Sequence, residues 1–301
     1  YLEVLKFTGM MDQKPDSYLV GLDLETGKQL FEKSTEQGKF KFYPASMSVV
    51  NDGKAYIFGE YFNPNGNIFK DKSLGFGFWN VNEKGEVLSE KYNSWDLDMG
   101  KHLSVSSKGK IDDFGFMFLH NMVQTADGSI FAIGEGYQKT ASALGIASTL
   151  LTRGGGLSVL KMKVTDMILI RFDKDFNVKS AQIFDKNANK QELPSGYEFV
   201  STPLIGKILR DYGVFDYSYT QMNKDFSSFT VCFSDYERGK DYKGTTFNAI
   251  TYADGKITTD KIKTVSKASG SVVLPGKQGQ VLILEYFKKD KKMEAHFEKL
   301  N

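Results

Sequence analysis

The sequence predicts an all-β fold, a β-propeller of four-stranded antiparallel blades with one short helical insertion. Three observations carry this. Aromatic residues are abundant, with 24 Phe, 15 Tyr and 2 Trp in 301 residues, and such side chains favour strands. Glycine is also abundant (29) while proline is scarce (6), which suits many short strands joined by tight turns. Finally, a pair of hairpins recurs along the chain, and repeats of this length are the sequence signature of propellers. A pair of β-sandwiches is the alternative architecture, and the regular alternation of two hairpin types argues against it.

The inner hairpin reads Ser46-Met-Ser-Val-Val-Asn-Asp-Gly53-Lys-Ala-Tyr-Ile-Phe-Gly59-Glu60-Tyr61-Phe62 in one copy. A second reads Asn121-Met-Val-Gln-Thr-Ala-Asp-Gly128-Ser-Ile-Phe-Ala-Ile-Gly134-Glu135-Gly-Tyr137. Weaker copies end in Ser234-Asp235-Tyr236 and Leu284-Glu285-Tyr286-Phe287. Each has a strand, an Asp-Gly-type turn and a second strand. An outer hairpin precedes or follows them, over 18–31, 75–88, 167–180 and 247–258. Inner plus outer hairpin makes one blade, with strands A to D running outward.

Blades are therefore expected at about 1–34, 40–95, 112–186, 210–266 and 270–301, within a single propeller domain. The first lacks strand A and the last lacks strand D. On this ground further strands are expected upstream of Tyr1, so that the chain reads as an internal cut. The A–B and C–D turns are short. The long segments, 63–73, 93–112, 138–163, 186–210 and 236–244, are B–C or D–A connections. In a propeller these emerge on one face, and function tends to sit on loops held by a rigid scaffold.

The composition excludes several classes. Lys plus Arg number 39 and Asp plus Glu 37, a net charge of +2. The only arginines are Arg153, Arg171, Arg210 and Arg238. Weak field and scarce Arg argue against nucleic acid. No apolar run reaches the roughly 18 residues that a membrane-spanning helix needs. The single cysteine, Cys232, lies in an apolar run and reads as a small buried side chain. His102, His120 and His296 show no metal-ligand spacing and no Gly-x-Ser-x-Gly elbow is present, so no metal, cofactor or catalytic residue is assigned. His120 reads as a packed strand histidine.

The candidate site residues are Glu60, Glu135, Asp235 and Glu285, at the end of each strand B. As an acidic ring they would bind a cation or sugar hydroxyls, or supply an acid/base pair. As a repeat feature they would cap a strand or pair with a neighbouring lysine, and the recurrence in every copy favours that structural role. The second candidate is the insertion 138–163, where 140–151 reads as a short helix ended by Arg153-Gly154-Gly155-Gly156. Its residues Leu144, Ile146, Leu150, Leu151 and Arg153 would dock a protein partner or fold back on the blades.

The segments 113–137 (Asp113-Phe-Gly-Phe-Met-Phe-Leu-His-Asn and onward) and 163–176 (Lys163-Val-Thr-Asp-Met-Ile-Leu-Ile-Arg-Phe and onward) resemble an uncharacterised family of secreted Bacteroidota proteins of β-propeller-like fold. The resemblance covers most of the chain and carries no catalytic motif. It implies a longer precursor with a signal peptide, exported to the periplasm or cell surface. The expected function is a non-enzymatic protein-binding or scaffold module of the cell envelope, part of an outer-membrane-associated or surface assembly. The alternative is a carbohydrate-binding or glycoside-cleaving propeller using the acids and surface aromatics such as Tyr61, Trp79, Trp95 and Tyr137.

Overall fold

The computed structural model describes residues 1–7, 15–36, 38–49, 54–141, 160–192, 200–264, 267–277 and 279–300. The fold class is the one the repeat predicts: all-β, built of antiparallel meanders whose strands follow chain order. Contacts divide the chain into two compact units, 1–122 with 130–215, and 123–129 with 216–301.

The first unit holds three sheets. One is β1 (Leu2–Lys6), β2 (Asp16–Leu22) and β3 (Gln29–Ser34). The next is β4 (Lys41–Val49), β5 (Ala55–Phe62), β6 (Gly75–Val81) and β7 (Val87–Ser94). The third is β8 (Phe116–Gln124), β9 (Ile130–Ala141), β10 (Leu160–Phe172) and β11 (Val178–Phe184), with β12 (Asn189–Glu192) added to β10. Leu19 of β2 packs with Phe42, Ile57 and Trp79 between the first two sheets. Phe58, Phe76 and Phe78 pack with Met117, Leu119, Ile168 and Ile170 between the second and third. Alternation along each strand thus puts an apolar face against each neighbouring sheet.

The second unit holds β13 (Tyr217–Met222), β14 (Ser228–Arg238), β15 (Lys243–Ala253) and β16 (Lys256–Lys263), then β17 (Gly270–Pro275), β18 (Gln280–Phe287) and β19 (Lys292–Lys299). Its core includes Cys232, Phe247, Ala249, Val281 and Ile283. Burial pushes the Cys232 thiol up to about 11, which keeps it protonated and inert. The β15–β16 turn has positive φ at both Asp254 (50°) and Gly255 (75°), the backbone of a two-residue hairpin turn.

One expectation changes, and the structure adds a helix. Segment 236–244 is mostly strand, since β14 runs to Arg238 and β15 resumes at Lys243. The α-helix of the described residues is α1, Thr202–Asp211, in the 186–210 connection. Of the helix expected at 140–151, Thr140 and Ala141 belong to β9, while 142–159 lies outside the described residues. The signals for α1 are Ser201 at the N-cap, Pro203 in the first turn, and Leu204, Ile205, Ile208 and Leu209 at helical spacing.

The Gly-Glu pair of the repeat has a steric cause. A Cβ on Gly59 would lie 2.0 Å from the Tyr43 carbonyl oxygen, and one on Gly134 would lie 2.6 Å from that of Phe118. Both oxygens belong to the preceding strand, so only glycine lets the strands close. Gly59→Ala should therefore cost about 1–3 kcal/mol by overpacking. The check is urea denaturation, and an unchanged midpoint would contradict the close approach.

Candidate functional site

The four repeat acids occupy different surroundings. Glu135, on β9, is fully buried (0% exposed). Its carboxylate meets Lys186 Nζ at 3.3 Å and His120 Nε2 at 3.1 Å. His120 is boxed by the Phe118 and Phe215 rings, with centroids 5.1 and 4.7 Å away. This is an interior ion cluster closed to ligands. Asp235, on β14, accepts the Tyr236 backbone N–H at 2.6 Å. Glu285, on β18, lies 3.9 Å from His296 Nδ1. These two sit in the second unit, and Glu60 and Glu135 in the first.

Glu60 borders a sizeable cavity. It lies one residue from the middle of β5, paired with Phe76 of β6 and Tyr43 of β4. The cavity, about 190 Å³, is lined by Glu60, Lys72, Ser73, Trp95, Lys108 and Thr202 among others. Three long connections supply those residues: 63–74, 95–115 and the one leading into α1.

The site is braced from behind. Trp95 Nε1–H donates to Ser73 Oγ at 3.1 Å, and the Ser73 hydroxyl hydrogen-bonds the Glu60 carboxyl. Burial pushes that carboxyl up to about 7, against the opposing effects of Ser73 and the Lys207 charge. Desolvation disfavours the charged form, which is why it wins here. A carboxyl poised near neutrality in a cavity is suited to giving and taking a proton. Asp71 also lines the cavity, with Oδ2 accepting the Asn67 N–H at 2.7 Å.

Sequence reasoning missed Ser73, Lys72, Lys108 and α1. The run Lys70-Asp71-Lys72-Ser73 inside a long connection was the available signal. The aromatics named as a surface platform are buried: Tyr61, Trp79, Trp95 and Tyr137 are each at most 5% exposed. They pack between sheets because each lies on a core-facing strand position or, for Trp95, under the 106–110 turn. The docking residues Leu144, Ile146, Leu150, Leu151 and Arg153 lie outside the described residues. Among the described residues no group of three or more His, Cys, Asp or Glu could hold a metal ion, and no helix is long and apolar enough to cross a membrane.

A family model described as "Family of unknown function (DUF6770)" matches residues 1–301. No curated protein matches the chain. Among solved structures, the endo-arabinase of Bacteroides thetaiotaomicron VPI-5482 is similar at 10% identity and a TM-score of 0.35, over 97% of this chain and 87% of that one. A protein of unknown function from Dyadobacter fermentans DSM 18053 is similar at 11% identity and 0.36, over 86% and 63%. The periplasmic gluconolactonase PpgL of Pseudomonas aeruginosa is similar at 10% and 0.33, over 97% and 80%. Similarity at this level carries no residue role from any of them to this chain.

Two measurements test the contrast between the acids. Lys186→Met leaves the buried Glu135 carboxylate without this cation and should destabilise the protein by about 3–5 kcal/mol; a change near zero in chemical denaturation would show that the cluster is not ionic. For Glu60 the sign runs the other way from an ordinary carboxylate. Its folded value, about 7, exceeds the ordinary 4.5 of a glutamate, so between these pH values the folded state binds more protons than the unfolded state. Stability then falls as pH rises across that window. Wild type should lose stability relative to Glu60→Gln from about pH 4.5 to about pH 7, and a flat difference would refute the burial of this carboxyl.

Proposed function

The chain belongs to this family of unknown function, and from its own geometry we propose that it is a carbohydrate-binding protein whose ligand enters the Glu60 cavity. The observation that carries the reading is the Glu60 carboxyl itself. It is held near neutrality by burial, oriented by Ser73 and Trp95, and opens on a cavity of about 190 Å³.

The chemistry fits a hydroxylated ligand. Protonated Glu60 donates a hydrogen bond and ionised Glu60 accepts one, so hydroxyls are satisfied in either state. The Trp95 indole, whose N–H is spent on Ser73, forms an apolar wall at the same cavity. Asp71 is a second carboxyl on the lining, held to its own loop by the Asn67 N–H. The cell-envelope location expected from the sequence is proposed with this reading, since such a protein would meet glycans there. The protein-docking role rests on residues 142–159 and draws no support from the cavity.

Calorimetric titration with a panel of mono- and oligosaccharides tests the reading. At least one sugar should bind, and Glu60→Gln should weaken it tenfold or more while the melting temperature at pH 7 stays equal or rises. If that sugar is also cleaved, turnover should be lost in Glu60→Gln. No binding across the panel, or equal affinity in the variant, would reject the Glu60 site.

A further inference from the structure

The cavity holds a feature that hydroxyl recognition does not require. Lys72 and Lys108 come from two separate connections, yet both line it. Both side chains are exposed to solvent, and Lys108 is the leading cause that pulls the Lys72 ammonium below its ordinary value. Two neighbouring ammonium groups repel, weakly where water reaches both, and an anion between them removes that repulsion. Among the described residues neither forms a salt bridge. Asp71, the nearby acid of the lining, is turned to its own loop by the Asn67 N–H.

The backbone of Lys108 is also held in place. Gly109 follows Lys108 with φ +77°, and a Cβ there would lie 2.7 Å from the Trp95 ring. The 106–110 turn therefore rests flat on the indole, closed by Gly109 N–H to the Ser106 carbonyl at 2.9 Å and by Ser106 N–H to that of Lys110 at 2.8 Å. This fixes the backbone of Lys108 relative to Ser73 and Glu60. The start of α1 adds to the positive field. Ser201, Thr202 and Pro203 line the cavity, the Ser201 hydroxyl is spent on the Ile68 carbonyl, and the first turn has neither a side-chain cap nor an acid. Among the described residues no acid of the first turn offsets the positive end of the helix dipole.

We propose that Lys72 and Lys108 form an oxyanion seat, so that the ligand of this cavity is an acidic sugar, one carrying a carboxylate, sulfate or phosphate group. The inference rests on the Glu60 reading for the sugar and on the lysine pair for the charge. An anion between the two ammonium groups turns their repulsion into two charge-assisted hydrogen bonds. The sugar ring then lies toward Glu60 and Trp95. A neutral sugar would leave the pair uncompensated and bind more weakly.

The experiment is calorimetric titration of the full chain with glucuronate, glucose 6-sulfate, glucose 6-phosphate and glucose, each at two salt concentrations, with sodium phosphate and sodium sulfate alone as separate arms. At least one acidic sugar should bind tenfold or more tightly than glucose, with the margin shrinking at high salt. Lys72→Met/Lys108→Met should abolish that margin, and Lys72→Arg/Lys108→Arg should keep most of it; melting curves establish that both variants fold. Which acidic sugar wins identifies the oxyanion. Glucose binding as tightly as every acidic sugar overturns the seat and leaves the Glu60 reading standing. Phosphate or sulfate binding without any sugar, lost in the double Met variant, supports the seat and overturns the sugar. A preference for acidic sugars that survives in the double Met variant overturns the assignment to these lysines.

Discussion

Lys207 is the contact on which the first unit's site depends. It lies on α1, a ten-residue helix, and helices shorter than about 12–15 residues are marginal on their own in water. What holds this one is burial. The Lys207 ammonium sits 3.5 Å from the centre of the Tyr43 ring on β4 and bonds the Glu3 carboxylate on β1. Burial pulls it down to about 8, with Glu3 opposing, so it stays mostly charged at neutral pH. A buried ammonium is tolerable only with such partners.

The rest of the helix repeats the theme. The Tyr137 hydroxyl on β9 donates to the Thr202 carbonyl at 2.8 Å, and Arg210 Nη1 donates to the Ala45 carbonyl at 2.7 Å. Ile205 and Leu209 pack with Phe118, Tyr137 and Met162, while Leu204 lies against Tyr43, Phe62 and Ile68. One helix thus touches all three sheets of the unit. Gly206 permits the approach: a Cβ there would lie 2.8 Å from both the Phe118 ring and the Tyr137 hydroxyl. With the helix docked, its first residues wall the cavity and Lys207 places a charge beside Glu60.

Glu60 and Glu135 hold the same place in the repeat and differ in everything the third dimension adds. Both follow a glycine forced by the backbone of the preceding strand. Glu135 finds an ammonium and an imidazole within 3.3 Å and becomes part of the interior. Glu60 finds a hydroxyl and an open cavity, and burial without a direct cation raises its proton affinity. A repeat can therefore supply a carboxyl at a fixed strand position while the neighbours decide whether it is a structural ion or a chemical group.

The meanders were legible because each strand pairs with its neighbour in sequence, and local alternation, Asp-Gly turns and the Gly-Glu mark suffice to place such hairpins. Glu60 was legible for the same reason, as a repeat position. The partners that make it a site were not. Ser73, Lys72, Lys108 and the start of α1 belong to connections of irregular length, with no period to betray them, and Trp95 sits where two of those connections meet. The burial of Tyr61, Trp79 and Tyr137 likewise follows from sheets packing face to face, which strand periodicity alone does not orient. Hydrogen bonding between adjacent strands is a short-range rule written along the chain. The cavity is made by contacts between residues up to about 140 positions apart, and only folding brings their charges within each other's field.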